Sequence, residues 1–447
     1  MSAPALTVVL AHARYRTAGG EGGVVAREAA ALRAAGHRVH THLVPPLADG
    51  APAVATAARA VWNPAAAREL EAHLRDVGAD VLHVHNEQPT LSPAVFAAGR
   101  RAGVRTVWTL HNYRYVCPAA TLYRDGGPCE ACVGLPFAVP AIVHACYRGS
   151  RAASALVAGK QALHRALGTY ARTVDAFVVL TAFAGRTLAR GGLPPERTWR
   201  VPNLVGTPGG GPVAAPDASD AALTRKRGGP ALFLGRLAEE KGVATLLDAW
   251  RLGGASLPPL RILGDGPDRD ALAAAAADLR AGDAPGGVTF AGRRPAADVA
   301  RALRTASVVV VPSRWYEGFP LVLAEAFAAG TPVVASDLGS LAELVPDAVG
   351  ARVPATDPAA WAAAVRDLLD DAPRYAAQAR AARAAYEADL TPARHVAALE
   401  AVYRGASPAS RADSTAGAPP GPAPHPTPRP PPRPPPNPPP GSNHDVS

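Results

Sequence analysis

Residues 307–336 read SVVVVPSRWYEGFPLVLAEAFAAGTPVVAS, and this stretch decides the fold. Ser307 to Pro312 is a short β-branched run of strand type, and Thr331 to Ser336 is another. The segment between them reads as a loop entering a helix. Strand–loop–helix–strand is the building block of a doubly wound parallel sheet, so the fold class is α/β. Such sheets bind ligands beyond the carboxyl ends of their strands, which is where Glu317 falls. Gly318 allows close backbone approach, and Pro320 fixes φ near a helix start, where free N–H groups favour an anion. Glu317 and Glu325 are separated by seven residues. A carboxylate beside an anion site suits a ligand with both phosphate and hydroxyls, such as a nucleotide sugar. The alternative is a solvated loop glutamate and a helix-surface glutamate.

Outward from this unit, strand-like runs alternate with Ala-rich helical sequence over most of the chain. One series is Leu6–Ala11, Val39–Val44, Val81–His85, Thr106–Leu110 and Ala176–Leu180. A second begins with ALFLG at Ala231 and continues through Leu260–Leu263, Val288–Phe290, Ser307–Val311 and Pro332–Ala335. The division expected is an N-terminal domain over 1–204, a Gly/Pro-rich linker over 205–230 and a C-terminal domain over 231–385. A last helix, 386–405, is expected to pack back on the N-terminal domain. Residues 406–447 are dominated by proline and are expected to be disordered with polyproline II character.

The chain has 447 residues with 48% hydrophobic and 19% charged content, enough for two or three cores. No run of about 18 apolar residues is present, and the start, MSAPALTVVLAHARY, reads as a first buried strand and not a signal peptide. A cytoplasmic protein is expected. The net charge of +9 comes from scattered arginines without a dense basic run or aromatic platform, so no nucleic-acid partner is expected. Lysine occurs only at Lys160, Lys226 and Lys241.

Lys241 stands in GRLAEEKG, Gly235 to Gly242, directly after a strand. Arg236 and Lys241, five positions apart at a strand end, can converge on one diphosphate, the fork of one complementing the point charge of the other. Gly242 opens the next helix and brings its positive end to the same place. LGDGP (Leu263 to Pro267) and FAGR (Phe290 to Arg293) repeat the strand-to-turn theme.

In order and spacing, GRLAEEKG, LGDGP, the FAG turn and EGFPLVLAEAFAAGTPVVAS resemble the donor domain of retaining family 4 (group 1) glycosyltransferases. The resemblance extends over about residues 1–400. It implies a GT-B fold, two Rossmann-like domains facing each other across a cleft, and transfer of a sugar from a nucleoside diphosphate sugar to an acceptor hydroxyl without a catalytic cofactor. Arg236 and Lys241 would neutralise the donor diphosphate. Glu317 would contact the transferred sugar, with Gly318, Phe319 and Pro320 beside it, and Glu325 would hold the ribose hydroxyls. In the N-terminal half, Gly19 and Gly20 belong to a glycine-rich loop whose N–H groups would reach the phosphate. His111 matches the family's active-site histidine. His83 and His85, on alternate strand positions, would face the cleft floor. A nucleotide-sugar 2-epimerase and a non-catalytic partner subunit share this architecture and are the rival readings.

All four cysteines, Cys117, Cys129, Cys132 and Cys146, lie in the Gly- and Pro-broken segment 117–146. A structural zinc, packed reduced thiols and disulfides are all open from this spacing. Residues 147–170 place Arg148, Arg151, Lys160 and Arg165 on an otherwise apolar helix. That helix reads either as a peripheral membrane contact or as a core helix with a basic solvated face.

Overall fold

The computed structural model describes residues 4–15, 20–46 and 53–406; Gly19 and residues 407–447, nearly all of the proline-rich tail, lie outside them. The first sheet contains β1 (Thr7–Ala13), β2 (Arg38–Val44), β3 (Val81–Asn86) and β4 (Arg105–Leu110). A two-residue hairpin, β5 (Tyr123–Arg124) and β6 (Gly127–Pro128), stands apart, and β7 (Ala176–Val179) and β8 (Thr198–Arg200) complete the sheet. Its order is β2-β1-β3-β4-β7-β8, with every pairing parallel. The second sheet contains β9 (Ala231–Leu234), β10 (Leu260–Leu263), β11 (Val288–Gly292), β12 (Val308–Val311), β13 (Val333–Ser336) and β14 (Gly350–Val353). Its order is β11-β10-β9-β12-β13-β14, again all parallel.

Parallel strands covered by helices on both faces lose the alternation of a half-exposed strand, and the sequence shows it. TVVLAHA in β1 and VVVV in β12 are buried at every position. Strand order reverses between β1 and β3 in one sheet and between β9 and β12 in the other. Each reversal leaves a crevice at the carboxyl ends where neighbouring loops diverge. The chain therefore offers two switch points.

The last helices join the two halves. Helix Ala372–Ala385 runs into a single π turn, Tyr386–Leu390, and Thr391 caps a new helix, Pro392–Tyr403. This helix packs Val396, Leu399, Val402 and Tyr403 into the core formed by Val8, Leu10 and Leu32 of the first half. The segment read as linker holds a helix of its own, Asp220–Arg227, with the Ser219 side chain accepting from Ala222 N. Composition hid it, because glycine and proline on both sides outweigh a helix of eight residues. β8 and β14 were also unread: each is three or four residues carrying an arginine, and a parallel neighbour supplies what pattern does not.

Candidate active site

The β9–β12 switch point is built from the two loops that the sequence singled out. Gly242 has φ +70° and lies so close to β12 that a Cβ there would run into the Pro312 carbonyl. Arg314 N donates to Glu240 O at 2.8 Å, stitching the loops together. Lys241 Nζ consequently lies 2.7 Å from Glu317 Oε1, and Ser313 Oγ donates to the same oxygen at 2.6 Å. The Trp315 ring lies against the ammonium, 5.0 Å from its centroid. Burial alone would raise the Glu317 carboxyl; Lys241 and Ser313 override it and hold the group below its ordinary value. Arg236 is exposed and pairs with Glu240. Phe319 is buried in the second core, and Pro320 precedes helix Leu321–Ala328, which carries Glu325.

The first half meets this site from β4 and from helix Gly20–Ala34. His111 follows β4, and Gly318 approaches its carbonyl so closely that a side chain could not be accommodated. Tyr113 donates its hydroxyl to the Glu317 carbonyl at 3.1 Å. Gly20 opens its helix next to Leu321. About two turns further on, Arg27 faces Glu325. Burial raises the Glu325 carboxyl and Arg27 opposes the rise, while Arg27 Nε and Nη2 are buried without a hydrogen-bond partner among the described residues. Lys241, Glu317, Gly318 and His111 thus lie together, and Glu325 meets Arg27 of the other half. Arg236 stands at the rim.

Beneath His111 lies a buried histidine array. His111 Nε2 is 2.9 Å from His85 Nδ1, and His85 Nε2 is 3.2 Å from Glu28 Oε1. His83 Nδ1 lies 3.0 Å from the same oxygen, and His395 Nε2 lies 3.0 Å from Glu28 Oε2. His83 was expected at the cleft floor but is fully buried, bonded through Nε2 to Thr109 Oγ1 at 2.7 Å and packed against Tyr403. Strand alternation put His83 and His85 on one face correctly; the covering helix then buried that face. His85 does line an open pocket, with Glu87, His111, Asn112, Arg114 and Tyr115.

Sequence reading missed Glu28, Arg27, Ser313 and Trp315. Glu28 carried a signal: it interrupts the buried stripe of Val24, Val25, Ala29 and Leu32, where a lone carboxylate needs partners. Arg27 carried none, since its role depends on the other half.

One expectation is corrected. Lys160 does not belong to a basic face: it is buried and bonds Glu87 Oε1 at 3.0 Å, both side chains being within 5% of full burial. Apolar neighbours on its helix drew it inward, and Glu87 after β3 compensates its charge. The four cysteines are free thiols, and Cys117 is buried. Among the described residues, the one group of three metal-binding side chains with all ligand atoms within 4.8 Å is Glu28, His83 and His85. The four thiols are neighbours, with Cys117, Cys129 and Cys146 each acting on Cys132. Cys132 and Cys146 pack with Ala138, Ala141 and Ala158, and burial pushes the Cys132 thiol up to about 11. Their segment reaches the second half, where Tyr123 donates to Glu239 Oε1 at 3.0 Å.

Comparison with known proteins agrees with this architecture. Residues 230–371 match the family described as glycosyl transferases group 1, and residues 18–207 match glycosyltransferase family 4. The glycogen synthase of Mycobacterium tuberculosis is 38% identical over 181 residues, 38% of this chain and 41% of that protein. The phosphatidyl-myo-inositol mannosyltransferase of Mycolicibacterium smegmatis is 41% identical over 150 residues, 33% of this chain and 37% of the other. The matched region thus spans about two-fifths of these relatives' length. Among solved structures, Anabaena Alr3699/HepE in complex with UDP superposes with a TM-score of 0.61 at 16% identity, covering 88% of this chain and 98% of its own. Sucrose-phosphate synthase from Thermosynechococcus elongatus does so with 0.61 at 20% identity, covering 89% and 98%. These likenesses show the fold, two Rossmann-like halves of GT-B type. With one family model on each half, the chain belongs to the family 4, group 1 glycosyltransferases.

Proposed function

We propose that the protein is a retaining glycosyltransferase that moves a sugar from a nucleoside diphosphate sugar to an acceptor hydroxyl. The observation that carries the reading is the Lys241–Glu317 pair at one switch point, held against His111 of the other half. Departure of a nucleoside diphosphate leaves negative charge on its terminal phosphate, and preorganised cations facing that charge lower the barrier. Lys241 is placed for this duty and Arg236 can swing to it from the rim. The start of helix Gly20–Ala34 adds N–H groups from the opposite side. Glu317, kept ionised, faces the sugar, and Glu325 takes the ribose hydroxyls beside Arg27. The names of the relatives, a synthase of glycogen and a mannosyltransferase, support sugar transfer as the class. Pocket residues Asn112 and Arg114 offer hydrogen bonds to an acceptor.

The test is incubation with UDP-, GDP- and ADP-sugars in the presence of hydroxyl acceptors, scoring nucleotide release against formation of a 2-epimer. Nucleotide release coupled to a glycosylated product of retained anomeric configuration is expected. Epimer formation would assign the chain to the epimerases, and donor binding without turnover would make it a non-catalytic subunit.

We also propose that the acceptor side meets an anionic bilayer. Leu135, Phe137, Val139 and Val143 are exposed, as are Leu156, Leu163 and Leu167 on helix Arg151–Ala166 and its end, with exposed Arg148 and Arg151 beside them. No described helix is long and apolar enough to cross a membrane, so the contact would be peripheral.

A further inference from the structure

We propose that Glu28 is a positioning residue that sets the tautomer of His111 through His85 and ties that setting to the C-terminal helix. The inference rests on the reading above, in which His111 works beside the transferred sugar.

An ionised carboxylate only accepts hydrogen bonds, whereas a neutral imidazole has one donor and one acceptor nitrogen. His85 Nε2, facing Glu28 Oε1 at 3.2 Å, must therefore carry the hydrogen. With His85 neutral its Nδ1 is bare, and the 2.9 Å bond to His111 can then form only if His111 Nε2 is the donor. His111 Nδ1 is left as the acceptor nitrogen of that ring. Glu28 is suited to start the chain: although burial would raise it, His85, His83 and His395 hold it well below the carboxylate range. Burial keeps His111 itself neutral. His85 and His111 stack with centroids 5.2 Å apart at 20°, so ring orientation is fixed along with tautomer.

The same carboxylate is anchored from the other end of the chain. His395 donates from Nε2 to Glu28 Oε2 at 3.0 Å, and its Nδ1 faces the Pro202 carbonyl at 2.8 Å. A buried carboxylate is costly, and for packing alone an apolar residue would fill this place. Three imidazoles from β3 and helix Pro392–Tyr403 converge on it because it organises them. The titratable groups facing the array are His12 on β1, Glu21 and Glu28 on helix Gly20–Ala34, His83 and His85 on β3, His111, and His395 and Tyr403 on the last helix.

Two measurements test this. In wild-type protein labelled with 15N-histidine, with His111 assigned by its loss in His111→Gln, His111 Nδ1 should resonate as a bare nitrogen and Nε2 as a protonated one. The reverse tautomer would overturn the proposal, and this readout does not depend on activity. In Glu28→Gln the amide can either donate or accept, so the tautomer is no longer imposed. Turnover should fall about tenfold or more with donor KM unchanged. The acid limb of the pH profile should move to lower pH, because a negative charge that favours the imidazolium is gone. Wild-type turnover and an unmoved profile would overturn it. A stoichiometric metal in the wild type, lost in Glu28→Gln, would overturn it in favour of metal binding by Glu28, His83 and His85. If instead His111→Gln keeps full turnover while the wild-type tautomer is as stated, the role of His111 in transfer fails and the positioning by Glu28 stands.

Discussion

At the scale of single residues, Lys241 and Glu317 form a pair whose two duties can be separated. The Glu317 side chain is 7% exposed and that of Lys241 20%. Removing the lysine alone leaves a buried carboxylate with only the neutral Ser313 and Trp315 beside it, so Lys241→Met should lower stability by about 2–3 kcal/mol. Adding Glu317→Gln removes the stranded charge and should restore most of that loss. Neither variant restores the cation opposite the leaving phosphate, so sugar transfer should stay down by about a hundredfold or more in both. Thermal unfolding and donor turnover, measured on the two variants, check this. Recovery of turnover along with stability would reduce the pair to a structural device. Much of this site was legible, because Arg236, Lys241, Glu317, Gly318 and Glu325 lie in short loops at strand ends where spacing is informative. Arg27 was not, since Glu325 stands in the other half and no local pattern records the pair, and Glu28 showed only as a carboxylate in a buried stripe, without the histidines it meets.

At the scale of elements, the strands that form each sheet's centre were readable from unbroken apolar runs, while edge strands β8 and β14 depended on neighbours. Helix Arg151–Ala166 shows the limit of reading one face at a time. Its apolar majority suggested either a core or a surface helix, and it is both. Val157, Ala158 and Lys160 turn inward, and Leu156 and Leu163 turn to solvent. With residues 135–143 beside it, this outer side presents apolar tips next to exposed Arg148 and Arg151, an arrangement suited to the headgroup boundary of an anionic bilayer. The protein should co-sediment with vesicles containing phosphatidylglycerol, less so with neutral phosphatidylcholine, and release should follow added salt. Leu156→Ser with Leu163→Ser should weaken binding about fivefold or more without changing the melting temperature. Equal binding to neutral and anionic vesicles, or none to either, would remove the membrane from the account.

At the scale of the whole molecule, the histidines make stability depend on pH in a direction that can be worked out. His12 and His83 are brought down from 6.5 to about 4, in both cases chiefly by burial. His42, His111 and His164 are also lowered, burial leading each time. Between pH 6.5 and about 4 the unfolded chain holds protons on these rings that the folded chain does not. Stability therefore rises with pH through the window and falls as the solution is acidified, each ring contributing up to about 1.4 kcal/mol per pH unit. Glu28, held well below 4.5, adds a loss of the same sign at lower pH. Glu21 and Glu325, raised by burial, act in the opposite sense just above 4.5, but two carboxyls face several imidazoles. The melting temperature should accordingly decline steadily from about pH 6.5 towards pH 4, before most carboxylates titrate. The buried array joins helix Gly20–Ala34, β3 and the last helix, so acidification should first loosen the packing of helix Pro392–Tyr403 on the first half. Hydrogen exchange at pH 7 and pH 5 should show protection lost there before it is lost in the second sheet. A melting temperature flat across the window, or earlier loss of protection in β9–β14, would contradict the role given to these histidines.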